Sequence, residues 1–92
     1  GGSFENRIRL LVKIVERVRR ILSDKYLLWV RISATDWVEN GWDIEQSIAL
    51  SQKLKSLGVD VIDSSSGGII PGVNIPLKPG YQTEFAERIR RE

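Results

Sequence analysis

The chain has 92 residues, a formal net charge of +2, and neither cysteine nor histidine. This composition excludes disulfides, thiol nucleophiles, imidazole bases and the commonest zinc ligands, so no metal site is predicted. Acidic and basic residues are interleaved, which argues against nucleic-acid binding, and no apolar run approaches the roughly 20 residues of a membrane span. We therefore expect a cytoplasmic chain with no membrane segment.

The first predicted element is an amphipathic helix over residues 3–23. Apolar residues recur there at helical spacing, with charged residues between them. These apolar residues are Leu11, Ile14, Val15, Val18, Ile21 and Leu22. The basic cluster Arg17, Arg19 and Arg20 fits either a phosphate patch or a solvated helix face. We favour the solvated face, because charges at helical spacing usually face solvent.

A parallel strand covered on both faces is predicted at residues 27–33, because this run is apolar on both sides. Its one charge, Arg31, stands next to its C-terminal end. Trp29 alternates in phase with Arg31 and is expected on the same face of the strand, inside a barrel if one closes. Residues 34–42 show no steady period and predict a loop.

A second helix is predicted to begin after Asp43, because Asp43 and Gln46 resemble a capping box, and to end at Gly58. Its expected apolar stripe is Ile44, Ile48, Leu50, Leu54 and Leu57. A second strand follows at residues 59–64, then a loop rich in Ser, Gly and Pro at 65–80. A last helix is predicted at 82–91, and the long loop before it is of a kind that often carries function.

This order predicts an α/β fold in which two parallel strands are joined by a right-handed crossover. Two strands leave unpaired backbone groups at both edges, so more of a sheet is required. The pattern fits part of a (β/α)8 barrel of about 250 residues, or part of a flavodoxin-like sheet. Both folds bind ligands beyond the C-terminal ends of the strands, where Arg31 and residues 64–68 stand.

Four sequence blocks resemble the old yellow enzyme family of flavin oxidoreductases, in the family's order and near its spacing. They are Gly-Gly-Ser-Phe-Glu-Asn-Arg at 1–7, Val-Arg-Ile-Ser-Ala-Thr-Asp-Trp at 30–37, Gly-Val-Asp-Val-Ile-Asp-Ser-Ser-Ser-Gly-Gly at 58–68, and Pro-Gly-Tyr-Gln at 79–82 leading into Phe-Ala-Glu-Arg-Ile-Arg at 85–90. The resemblance implies that residues 1–92 are a single fragment of a (β/α)8 TIM barrel, from its fourth helix to its sixth.

Members of that family bind FMN and pass a hydride from NAD(P)H to an activated alkene such as an enone. The resemblance implies that Arg31 contacts the N1 and O2 edge of the flavin, where a fixed positive charge favours the reduced form. From the sequence alone, an ion pair of Arg31 with a loop carboxylate such as Asp36 is equally acceptable. Ser65 and Gln82 match positions near the ribityl or phosphate side, where uncharged donors suit the cofactor. The alternative for both is loop capping.

The resemblance implies no catalytic residue in this chain. The family's substrate-anchoring His or Asn pair and its proton-donating Tyr precede the first block, and Tyr26 and Tyr81 match neither position. We therefore expect a fragment of an ene-reductase that supplies the flavin-contacting Arg and is inactive alone. The alternative is a non-catalytic α/β module that binds no flavin. In both cases the unpaired strand edges predict homo-oligomers or association with the remaining barrel segments.

Overall fold

A computed structural model describes residues 2–67, 71–72, 80 and 82–91. Its elements are α1 (Phe4–Ile21), β1 (Trp29–Ser33), α2 (Ile44–Ser56), β2 (Val61–Ser65) and α3 (Thr83–Arg91). The predicted helix, strand, helix, strand, helix order is confirmed. Most of the predicted loop at 65–80 lies outside the described residues, as does Tyr81. None of the helices in the described part of the chain is long and apolar enough to cross a membrane.

Helix α1 begins after Ser3, whose hydroxyl accepts a hydrogen bond from the Asn6 backbone N–H at 3.3 Å. Ile8 and Val15 form its buried line, and Leu11 and Val12 are partly buried beside them. The prediction that Ile14 and Ile21 belong to the buried face is wrong: they are 50% and 76% exposed. The apolar residues of α1 extend around more than one side, and the described elements cover only the side through Ile8 and Val15.

The solvated-face prediction holds for Arg17 and Arg20, which are exposed, but it is wrong for Arg19. The side chain of Arg19 is only 15% exposed and forms an ion pair with Asp60 at 3.3 Å. Its guanidinium also donates to the backbone carbonyls of Gly58, Ser23 and Tyr26 at 3.1, 2.9 and 2.7 Å. Arg19 thus joins the end of α1 to the segments that lead into both strands.

Strands β1 and β2 pair in parallel, with Trp29 opposite Val61 and Ser33 opposite Ser65. Both strands begin two residues later than predicted. The Asp60 carboxylate accepts from the Leu28 backbone N–H at 2.8 Å, and the Asp60 N–H donates to the Leu28 carbonyl at 2.9 Å. These contacts join the segments that lead into the two strands, just before the strands pair. Strand β2 ends one residue later than predicted, because the Ser65 carbonyl accepts from the Ala34 N–H at 2.7 Å.

The described helices cover one face of the sheet. Val30 and Ile32 are buried on that face, whereas Trp29 on the opposite face is 63% exposed. We call this second side the open face; its residues are Trp29, Arg31 and Ser33 of β1 and Val61, Asp63 and Ser65 of β2. The prediction that β1 is covered on both faces is therefore met on one face only within the described chain. The mixed α/β architecture with two parallel strands is shown, and it is consistent with part of a TIM barrel.

Helix α2 begins after Asp43, whose carboxylate accepts from the Gln46 backbone N–H at 2.8 Å, as the capping pattern predicts. Gly58 follows the helix with φ +95°, which confirms a left-handed end. Ile48, Leu50 and Leu54 are buried, as expected. Leu50 and Leu54 belong to one core with Val15 of α1, Val30 and Ile32 of β1, Ile8 and Val59. Two serines on the same side of α2, at 47 and 51, are also buried.

Candidate functional site

The C-terminal ends of β1 and β2 bring together polar residues on the open face. In a parallel pair, residues in register lie on the same face of the sheet. Arg31 is opposite Asp63, and Ser33 is opposite Ser65. The next serine along, Ser64, is in register with buried Ile32 and lies on the helix-covered face. Of the serines that end β2, Ser65 is therefore the one that faces the same side as Arg31.

The structure brings Arg31 and Ser65 into direct contact. Arg31 Nη2 donates to Ser65 Oγ at 3.2 Å, and Arg31 Nη1 lies 3.6 Å from Asp63 Oδ2. The side chains of Arg31 and Asp63 are 70% and 51% exposed, so this ion pair is screened by water and contributes little to stability. At 70% exposure, the Arg31 side chain is accessible from the open face.

The carboxylate that pairs with Arg31 is not the one considered from the sequence. Asp36 Oδ2 instead accepts from the Trp42 backbone N–H at 2.9 Å, inside its own loop. Asp63 stands 32 positions after Arg31 and reaches it only because the strand register sets the two side by side. The Arg31–Asp36 alternative is therefore wrong, and an ion pair with a strand neighbour takes its place.

Gln82 lies beside the end of β2, where its side chain bonds to Ser66, the residue after Ser65. Its amide nitrogen donates to the Ser66 carbonyl oxygen at 2.9 Å and to Ser66 Oγ at 3.1 Å. These bonds join the start of α3 to the residue that follows β2. The loop-capping alternative for Gln82 is thus supported by two bonds, and the same bonds fix the backbone next to Ser65.

The loop after β1 is an ordered structure at the same edge of the sheet. The Asp36 backbone N–H donates to the Trp42 carbonyl at 2.8 Å, and the Thr35 hydroxyl donates to the same carbonyl at 3.3 Å. The loop carries Trp37, whose φ of +61° lies in the left-handed region that residues other than glycine seldom adopt. The Trp37 ring packs edge-on against Phe85 of α3, with ring centroids 5.4 Å apart. The loop therefore spans from β1 to α3.

Ser47 is a site residue that the sequence pattern did not reveal. It is fully buried, its hydroxyl donates to the Ala34 carbonyl at 2.7 Å, and it accepts from the Trp42 indole N–H at 2.6 Å. The available signal was position: Ser47 stands seven residues before Leu54, which puts a small polar side chain on the buried face of α2. Such a residue needs hydrogen-bond partners, and here both come from the loop after β1.

A family model described as the NADH:flavin oxidoreductase / NADH oxidase family matches residues 1–91. The chain belongs to this family. It is 45% identical to the NADPH dehydrogenase of Geobacillus sp. (strain WCH70) and 42% identical to that of Bacillus subtilis, in both cases over 100% of this chain and 26% of the relative. It is also 40% identical to an NADH:flavin oxidoreductase of Gibberella zeae, over 99% of this chain and 25% of the relative. The chain thus spans about a quarter of the length of these relatives.

Membership in the NADH:flavin oxidoreductase family confirms the resemblance given by the four sequence blocks. It implies a flavin and a nicotinamide as cofactors of the family. The open face has groups that suit a flavin: an accessible guanidinium at Arg31, a hydroxyl at Ser65, and an exposed aromatic ring at Trp29. Guanidinium and hydroxyl donors match the carbonyl and ring-nitrogen acceptors of such a cofactor. The residues present therefore fit the group that the family implies.

Proposed function

We propose that residues 1–92 are one section of an FMN-binding (β/α)8 barrel, from its fourth helix to its sixth. The complete enzyme would use NAD(P)H to reduce activated alkenes such as enones. The observation that carries this proposal is the Arg31–Ser65 contact on the open face, at the C-terminal ends of two parallel strands. This is the edge at which barrels of this kind hold their ligands.

Arg31 is proposed to hold the N1 and O2 edge of the flavin. Its guanidinium is permanently charged and planar, and the bond to Ser65 fixes the direction of one of its nitrogens. A fixed positive charge at that edge favours the electron-rich form of the cofactor. FMN itself supplies the hydride chemistry between NAD(P)H and the alkene. The proposed role of Arg31 is to orient the flavin and to stabilise its negative charge.

Ser65 and Gln82 are proposed to contact the ribityl or phosphate side of FMN. Ser65 Oγ accepts from Arg31, so the hydroxyl proton of Ser65 can be donated to a ligand oxygen. Gln82 holds the backbone at Ser66, one residue further along. No residue of this chain is assigned to proton delivery or substrate anchoring, so those groups would come from other parts of the polypeptide.

The test uses the full-length polypeptide that carries residues 1–92. FMN is titrated into the apoprotein, and the midpoint potential of the bound flavin is measured for the unsubstituted protein, Arg31→Ala and Arg20→Ala. Arg31→Ala is expected to weaken reduced-flavin binding more than oxidised-flavin binding, by about 1.5–3 kcal/mol for one charge-assisted hydrogen bond. Arg20→Ala removes the same charge from an exposed position on α1 and is expected to change neither value. An unchanged midpoint potential in Arg31→Ala would refute the assignment.

The second candidate function is a non-catalytic α/β module that self-associates. It is favoured by large apolar side chains exposed on α1, before β1 and at the start of β1; these are Leu10 at 72%, Ile14 at 50%, Ile21 at 76%, Leu27 at 69% and Trp29 at 63%. Exposed apolar surface of this extent marks an interaction site. The two candidates separate in one experiment, because only the first gives a bound-flavin absorbance spectrum after incubation with FMN.

A further inference from the structure

The hydroxyl of Ser47 joins helix α2 to the loop that follows β1. Ser47 is completely buried, and both its donor and its acceptor function are used, toward Ala34 and Trp42. At 2.7 and 2.6 Å these are short hydrogen bonds; the bond to Ala34 is buried and the bond to Trp42 is partly buried. Ser47 therefore sets the distance between α2 and the C-terminal end of β1.

The residue whose carbonyl Ser47 holds is also bonded to the other strand. Ala34 is fully buried; its carbonyl accepts from Ser47, and its N–H donates to the Ser65 carbonyl at 2.7 Å. Within the described part of the chain, Ala34 is thus the last hydrogen-bonded step between the two strands. The N–H and the carbonyl of Ala34 belong to adjoining peptide groups that share the Ala34 Cα, so a shift of Ala34 is passed to the backbone of Ser65.

Ser65 in turn orients Arg31 through the bond between Ser65 Oγ and Arg31 Nη2. A continuous series of hydrogen bonds therefore runs from Trp42 through Ser47, Ala34 and Ser65 to Arg31. The series passes from the buried interior of the molecule to the open face. Trp42 anchors its far end, because its backbone N–H and carbonyl both bond to Asp36.

We propose that Ser47 is a positioning residue for the cofactor face: it acts through Ala34 and Ser65 to hold the Arg31 guanidinium in the orientation that the flavin requires. The proposal rests on the proposed function, and it assigns to Ser47 no contact with the cofactor. Removing the hydroxyl leaves the buried Ala34 carbonyl and the partly buried Trp42 indole N–H without this partner, which costs free energy unless the strand end moves toward water. That movement reaches Ser65 and Arg31.

Ser51 supplies a matched control. It is buried on the same helix one turn later, at 8% exposure, and its hydroxyl donates to the Ser47 carbonyl at 2.8 Å. This bond stays within α2 and does not reach β1 or the loop after it. Ser51→Ala therefore removes a buried serine hydroxyl from α2 and leaves the series to Arg31 intact.

The experiment compares Ser47→Ala, Ser51→Ala, Arg31→Ala and the double variant Ser47→Ala/Arg31→Ala in the full-length polypeptide. FMN affinity and the midpoint potential of the bound flavin are measured for each. Ser47→Ala is expected to weaken FMN binding roughly 2- to 30-fold, the range typical of effects passed through a packed network, and to move the potential in the same direction as Arg31→Ala. Ser51→Ala is expected to change neither. In the double variant, Ser47→Ala adds little to Arg31→Ala, because the two share one pathway.

A second readout does not depend on flavin. Hydrogen exchange of the Trp42 indole N–H in the apoprotein is expected to accelerate in Ser47→Ala and to stay unchanged in Ser51→Ala. If Ser47→Ala does not fold, Ser47→Cys keeps a weaker donor of similar shape and is expected to show the same effects at smaller size.

Three results would overturn the inference. They are equal changes in Ser47→Ala and Ser51→Ala, an unchanged potential in Ser47→Ala, and full additivity in the double variant. With flavin binding intact in the unsubstituted protein, each of these results leaves the proposed function standing. Failure of the unsubstituted protein to bind FMN would instead refute the proposed function, and the role of Ser47 would fall with it.

Discussion

Replacing Arg19 by methionine is expected to destabilise the fold by about 3 kcal/mol. The Arg19 guanidinium donates to three backbone carbonyls and to the Asp60 carboxylate, and its side chain is 15% exposed. A hydrogen bond to a charged group contributes about 1.5–3 kcal/mol, so four such bonds would suggest at least 6. About half of that is recovered, because Asp60 is 41% exposed and the freed carbonyls near the surface can bind water. Methionine retains the apolar stem of the side chain, which separates lost hydrogen bonds from lost packing.

The assay is equilibrium denaturation of the full-length polypeptide, followed by circular dichroism. Arg20→Met is the control, since Arg20 is the adjacent arginine on α1 and is exposed; its substitution is expected to stay within about 0.5 kcal/mol. Arg19→Lys should lie between the two, because an ammonium cannot reach four acceptors at once. Equal midpoints for Arg19→Met and Arg20→Met would show that the buried hydrogen bonds contribute nothing, and the reasoning would be wrong.

Three further predictions follow from the same structure. Gly58→Ala should cost about 1–2 kcal/mol in the same assay, because φ is +95° there and an added Cβ would lie 2.9 Å from Arg19 Cδ; a neutral substitution would contradict this. The isolated 92-residue chain should reduce no cyclohexenone with NADPH and free FMN, since the proposed function assigns it neither a proton donor nor a substrate anchor, and saturable reduction by the purified chain would disprove it. The isolated chain should sediment as oligomers at micromolar concentration, because Trp29 is exposed and neither strand has a second strand partner among the described residues; a compact monomer with concentration-independent unfolding would disprove that.

The local features of this fold are readable from the sequence because they depend on near neighbours. Asp43 lies three residues from the N–H that it caps, and Gly58 stands where the chain must turn left-handed. Helix and strand order follows from periodicity in the same way. The exposure of Ile14 and Ile21 could not be predicted from the sequence, because periodicity shows which residues share a helix face but not which face packs against a neighbouring element.

Some features of the candidate site could likewise be predicted from the sequence, whereas others depend on tertiary packing. The meeting of Arg31 and Ser65 at one edge follows from the parallel strand order, which brings the C-terminal ends of both strands together. The pairing of Arg31 with Asp63 depends on strand register, and the burial of Arg19 depends on how α1 crosses the start of the sheet. Both are tertiary outcomes that a residue's own neighbours do not determine. Ser47 was missed for a related reason, since a lone serine in an apolar stripe shows no partner until the loop is placed.

The fluorescence of Trp29 reports whether the open face of the sheet is covered. Its indole lies on the open face at 63% exposure, while Trp37 and Trp42 are half-buried in the loop after β1. An indole in water emits at longer wavelength than one surrounded by protein, so Trp29 dominates any red-shifted emission of this chain. Whatever segment covers the sheet, whether another copy or further strands of the same polypeptide, must shift that emission to the blue. The covering of this one side chain can therefore be followed in real time without a label.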